Sequence, residues 1–289
     1  MLREPRSGRL AAWGNALLAG AVSPDAAAAS ITGEDVTHRV TDLPLAAGRT
    51  GVEPVPVGLT LALGRLRALG VRGLRVALPA AGHPLGLTGP PEFNERALEV
   101  GEAVLAPEAG IGLVPVVHSA GPDGGEPGQL ADPRFGPADT HTEVVWECLP
   151  VRVAPPADVP TLSEAERELA EAMRSATEAL TRLDVAGSGP VADAALEAYR
   201  ARAEAGREVL APGYPPRAVR VLELAQRVGA LVSIAQGDGG DGRAYGGAVS
   251  ASEIATRSAL LRPVERTARR AQVAAYNAYA EERERDAGR

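Results

Sequence analysis

Four residues between positions 118 and 148 belong to types that do chemistry: His118, His141, Glu143 and Cys148. An imidazole serves as base or metal ligand near neutral pH, a carboxylate as base or ligand, and a thiol as nucleophile once ionised. His118 closes one apolar run and His141 opens the next. If the two runs pair antiparallel, both histidines and Glu143 come to one end of a sheet. Cys148 lies too far along the second strand to join them. Acid–base work or ligand binding is the chemistry such a group supports.

Metal binding asks for more than this. His141-Thr142-Glu143 echoes the first half of the zinc-deaminase pattern, but the cysteine pair of its second half is missing. The expectation is no metal and no cofactor. Ser119 follows His118 directly, yet no nucleophile-elbow motif surrounds it.

Three further places carry side chains of interest. His83 is the titratable group of the Gly- and Pro-rich stretch 80–91, which follows an apolar strand and so sits where a rigid scaffold can aim a loop. The glycine-rich stretch 237–247 leads into a helix start and would suit an anion, although Asp238 and Asp241 oppose that and the spacing misses a calcium loop. Arg262, Arg266 and Arg269 step by four and three along the last helix and would meet an anion or an acidic partner from one face.

The elements that must position these groups are legible from pattern. Helices are expected over 8–19 and 24–31, the second with Ser23 as cap and Pro24 at its first position. Leu59, Leu63, Leu66 and Leu69 share one helical face, and Gly70 ends that helix. Strands are expected at 35–43, 73–79, 102–106, 111–117 and 142–153, with Pro107 to Gly110 as a turn and Pro150 at an edge. Residues 120–141 read as a loop. After Pro155-Pro156 the pattern turns helical. Ser163 and Glu166 read as a capping box, and Leu169, Met173, Ala176, Leu180 and Leu183 step as a packing seam. Further helices are expected over 191–210, from Pro215-Pro216 with a stripe of Val221, Leu224, Val228, Leu231 and Val232, and from Ser250 to Glu284 with a kink at Pro263.

Composition excludes several reactions. All 30 basic residues of the 289 are arginine, which removes a Schiff-base lysine, a P-loop lysine and a kinase lysine. The net charge of −7 argues against general nucleic-acid binding. The single cysteine forbids an intrachain disulfide and a CxxC site, and fits a reducing cytoplasm. No stretch reaches the roughly 20 apolar residues of a membrane span.

The expected architecture is α+β: a mostly antiparallel sheet with flanking helices on one face over 1–155, followed by an all-α antiparallel helical bundle over 156–289. The expected role is assembly, with itself or a protein partner, through the alanine-rich helical seams. The alternative is a small-ligand-binding protein or enzyme with its site at loops 80–91 and 120–141, using His83, His118, His141 and Glu143.

Overall fold

The computed structural model describes residues 4–44, 55–120, 141–182, 210–236 and 251–287. The chain divides into two compact units, one of Pro5–Asp158 with Arg283–Arg289, the other of Val159–Glu282 with Met1–Glu4.

The first unit is built on a six-stranded sheet. In chain order it runs α1 (Arg6–Leu18), α2 (Pro24–Thr32), β1 (Thr37–Thr41), β2 (Val57–Gly58), α3 (Leu59–Ala68), β3 (Arg75–Ala77), α4 (Pro91–Val100), β4 (Ala103–Ala106), β5 (Ile111–Ala120) and β6 (His141–Pro150). Across the sheet the order is β2-β1-β6-β5-β4-β3. The protein is therefore α+β, but the sheet is mixed. Every pairing is antiparallel except that of β1 with β6, which is parallel. The Pro107–Gly110 turn sets the β4–β5 pair, whereas β1 meets β6 only after a long excursion of the chain, and such a connection leaves strand direction free.

Side chains alternate between the two faces. One face carries His38, Val40, Val144 and Trp146, and α1 bonds to it through Asp35 and His38. The other face carries Ala77, Leu105 and Val114, over which α4 lays Phe93 and Ala97 in a buried cluster completed by Leu87, Ala103 and Val151. Helices thus cover both faces, a correction to the one-sided arrangement expected. The reason is α4: Pro91 starts it, Gly101 ends it in the left-handed region at φ 83°, and Phe93 and Ala97, one turn apart, make a single apolar face that needs a sheet to cover.

α1 is fixed to β3's approach by Asn15. Its amide nitrogen donates to Leu74 O at 3.0 Å, and Leu74 N donates to its Oδ1 at 2.7 Å. Buried Asn15 thereby satisfies both backbone groups of a residue just outside the ladder.

The second unit contains α5 (Leu162–Arg182), α6 (Pro216–Gln236) and most of α7 (Ala251–Ala287). The capping box of α5 lies earlier than expected. Thr161 Oγ1 accepts from Glu164 N at 3.3 Å, and Thr161 N donates to Glu164 Oε2 at 2.9 Å. Glu166 instead accepts from Arg217. Both pairs satisfy the motif's spacing, and Glu166 is engaged by Arg217 while Glu164 caps. Leu169, Val221, Leu222, Ala225, Val228 and Val232 are buried, so these parts of the seams are satisfied within the chain. In α7 every residue from Val273 to Ala280 is buried, a pattern of all-round burial that small alanines permit. Tyr214 donates from its hydroxyl to Tyr276 O at 2.9 Å. α7 runs through Pro263 as one helix. The expected helix 191–210 and the glycine-rich stretch 237–247 lie outside the described residues. Among the described residues no helix is long and apolar enough to cross a membrane.

Candidate functional site

The register of β5 against β6 decides which candidates meet. His118 stands directly opposite Glu143, and Ala120 opposite His141. Residues two apart on a strand share a face, so His118, Glu143 and His141 lie together on one face, His141 diagonal to His118. All three are exposed. Glu143 also stands beside Thr37 of β1, and Val145, one step along, beside Arg39. Because alternate residues share a face, Thr37, Arg39, Thr41, Val116, Val145 and Glu147 complete this surface.

It is the half of the second face that α4 leaves uncovered. α4 borders it through Arg96, which donates to Glu147 Oε2 at 2.7 Å and Oε1 at 3.2 Å, and to Glu99. Those carboxylates raise the guanidinium pKa further, so Arg96 and Glu147 are spoken for. What remains for a ligand is an acceptor, Glu143, a donor, Arg39, and two imidazoles that can do either. Among the described residues no group of three or more His, Cys, Asp or Glu side chains is placed to hold a metal ion.

His83 lies outside the paired strands β5 and β6. Its backbone makes a reciprocal pair with Ala80, N to O at 2.8 Å and 2.9 Å. The rest of the 80–91 stretch is a plug rather than an open loop: Leu85 and Leu87 are buried, Leu78 N donates to Leu85 O, and Gly86 N to Ala157 O. Gly86, at φ 98°, is backed so closely by Ala77 that a Cβ there would come within 2.8 Å. His83 Nδ1 and Thr88 Oγ1 are buried without a hydrogen-bond partner among the described residues. The loop 120–141 with which this stretch was expected to form a site lies, for residues 121–140, outside the described residues.

The remaining candidates are placed as follows. Arg269 pairs with Glu265 at 3.1 Å, and its neighbour Arg270 with Glu168 at 3.2 Å. Arg262 and Arg266 are exposed. Cys148 is half-buried, and burial first, then the charge of Asp42, pushes its thiol up to about 12. At that value it is no nucleophile at neutral pH.

The fourth histidine, which sequence reasoning assigned to a strand and nothing more, anchors a buried polar chain. Asp35 accepts from Arg6 Nε and Nη2 at 2.8 and 2.7 Å, from Arg9 Nη2 at 3.2 Å, and pairs with His38 Nε2 at 3.0 Å. Trp146 Nε1 donates to His38 Nδ1 at 3.2 Å. An indole nitrogen only donates, so Nδ1 is the bare nitrogen and Nε2 carries the proton toward Asp35. His38 is neutral, and burial lowers its pKa against the opposing pull of Asp35. For Asp35 burial works upward, but the bonds from Arg6 and His38 and the charges of Arg6 and Arg9 outweigh it and hold the carboxyl well below the usual range. An aspartate–histidine pair of this kind activates a nucleophile in hydrolases; here the third member is an indole and all is buried, so its work is structural. No spacing in the sequence signals that Arg6 and Asp35 meet.

Two family models match most of the chain. One, described as the Rv1486c-like protein N-terminal domain, covers residues 7–161. The other, the Rv1486c-like protein C-terminal domain, covers residues 163–273. The chain is 32% identical over 285 residues to uncharacterized protein MT1533 of Mycobacterium tuberculosis strain CDC 1551 / Oshkosh, covering 93% of this chain and 95% of that one. It is 31% identical over the same length and shares to uncharacterized protein Rv1486c of strain H37Rv. Uncharacterized protein ML1804 of Mycobacterium leprae is 29% identical over 294 residues, again 93% of this chain and 95% of its own. No solved structure matches.

Proposed function

The chain belongs to the Rv1486c-like family, and from that premise we propose that it is a small-ligand-binding protein whose site is the uncovered half-face of the sheet at the β5–β6 end. The observation that carries this is the His118–Glu143 pairing with His141 on the same face. A rigid two-strand platform holds the groups, with Arg39 one step away. The ligand would be small and polar, offering a donor to Glu143 and an acceptor to Arg39 or an imidazole. Weak exposed charges bind little alone, so orientation by several groups at once is what the platform contributes.

Native mass spectrometry of the untagged protein is the test. The expected result is a stoichiometric mass excess that a His118→Ala, Glu143→Gln double variant loses while keeping its melting temperature. A bare chain, together with unmoved imidazole resonances of His118 and His141 across a metabolite panel, would refute the reading.

Assembly through the helical domain, read as an antiparallel bundle over 156–289, is the second reading. Leu224 and Leu231, two turns apart on α6, favour it: Leu224 is half-buried and Leu231 is 42% exposed. A Leu231→Glu variant that lowers the oligomer mass would support it. A cytoplasmic location goes with either reading and is supported by the lone, unpaired Cys148 thiol.

A further inference from the structure

β1 is the lightly held strand of this sheet. It pairs in parallel with β6 over five residues and with β2 over two, whereas β5 and β6 pair antiparallel over ten. Parallel pairing is slightly the weaker per residue. The buried side chains of β1 are His38 and Val40. His38, with its side chain 0% exposed, is also the one through which β1 grips β6 by a side-chain bond to the buried indole: Trp146 Nε1 donates to its Nδ1 at 3.2 Å.

A second proton has no place in this arrangement. An imidazolium donates from both nitrogens, so a protonated Nδ1 would face the indole N–H donor to donor. Charge opposes the proton as well. Asp35 already accepts from two guanidinium groups, Arg6 at 2.8 and 2.7 Å and Arg9 at 3.2 Å. A charged His38 would add a third cation to that carboxylate in a buried setting. Among the described residues, what packs around the ring supplies no further acid. The buried residues of α3, which lies against β1, are Leu59, Ala62, Leu63 and Leu66. Glu102 is taken by Ser7 of α1. Glu143 and Glu147 of β6 lie on the other face of the sheet, and Glu34 is exposed.

We propose that His38 is an acid-operated latch: on taking a proton at Nδ1 it lets go of Trp146, and β1 separates from β6 while β3 to β6 stay paired. The step is the uptake of one proton, and only hydrogen bonds change. Its consequence falls on the opposite face. Thr37 and Arg39 alternate with His38 and Val40, so they leave with the strand, and acid withdraws Arg39 from beside Glu143. That consequence rests on the reading of this face as a ligand site; the latch itself does not.

The chain has two tryptophans, Trp13 and Trp146, so two indole N–H resonances report separately, and Trp13→Phe assigns them. Spectra of the isotope-labelled, ligand-free protein from about pH 8 to about pH 4 bracket imidazole titration. The expected result is an upfield shift of the Trp146 indole proton and displacement of the Thr37–Thr41 amides, with one shared midpoint below about 6.5. The Trp13 indole, the β4–β5 amides and the helical circular dichroism should stay unchanged through it. His38→Gln, which accepts a bond without titrating, should hold the Trp146 resonance fixed. If that variant does not fold, the His38 ring resonances carry the test, and must titrate at the Trp146 midpoint. A Trp146 shift that comes only with Trp13 and loss of dichroism, in one global transition, overturns the latch. So does a shift that persists in His38→Gln, or a Trp146 resonance that never moves. No ligand enters these spectra, so their outcome is independent of the mass measurement that decides the ligand reading.

Discussion

Arg6, Asp35 and His38 set how this protein responds to acid. The folded state holds His38 neutral, with its pKa lowered by burial. The unfolded chain therefore binds a proton that the folded chain refuses, and stability falls as pH drops below about 6.5, where a free imidazole titrates. The slope is at most about 1.4 kcal/mol per pH unit for this one group. Asp35 adds a second limb in the same direction. Its folded pKa is depressed, so its contribution is complete above about pH 4 and is lost as pH falls further. Urea midpoints measured between pH 8 and pH 3 should show both limbs, and His38→Gln should flatten the upper one. Asp35→Asn leaves the Arg6 guanidinium, whose side chain is 9% exposed, without its anion; the expected cost is about 3–5 kcal/mol. Cys148 gives an independent check. With its thiol pushed up to about 12, iodoacetamide at pH 8 should label the folded protein about two to three orders of magnitude more slowly than the urea-unfolded chain.

Elements were legible in proportion to how local their causes are. The helix from Leu59, ended just before Gly70, follows from leucine spacing and a glycine stop. The β4–β5 turn follows from Pro107 and Gly110, which sits at φ 64°. The cap was read at Ser163, whereas Thr161 with Glu164, at the same spacing two residues earlier, makes it. Thr161→Ala should cost about 1 kcal/mol, whereas Ser163→Ala should cost little; helix content at rising urea measures both. The face that α4 covers was not legible, because it rests on a residue with no side chain. A Cβ on Gly112 would lie 2.6 Å from Val151 Cγ1 and closer still to the Phe93 ring. Gly112→Ala should therefore lift α4 and cost about 1–3 kcal/mol, read from a chemical melt. The candidate site was half legible. The strand pattern placed His118, His141 and Glu143 at one end of a strand pair if the two ran antiparallel; the register adds that they share a face. His83 was drawn into the same site by loop composition alone, and the buried Leu85 and Leu87 show that composition cannot tell an open loop from a plug.

The whole sheet is closed by distant parts of the chain. β6 lies between β1 and β5, so removing it divides the sheet into two pieces that share no hydrogen bond. A fragment ending at residue 140 should show no cooperative melt, while one ending at residue 158 should fold, as circular dichroism on heating will tell. The same feature has a meaning in time. His38 and Trp146, which hold β1 to β6, are 108 residues apart. At roughly 5–20 residues per second of synthesis, β1 leaves the ribosome about 5–20 s before its neighbour exists. Through that interval Asp35, His38 and Val40 have no indole to meet, and β1 has only the two-residue β2 beside it. The charges of Arg6, Arg9 and Asp35, which the finished protein hides among themselves, therefore precede by seconds the indole that completes their chain.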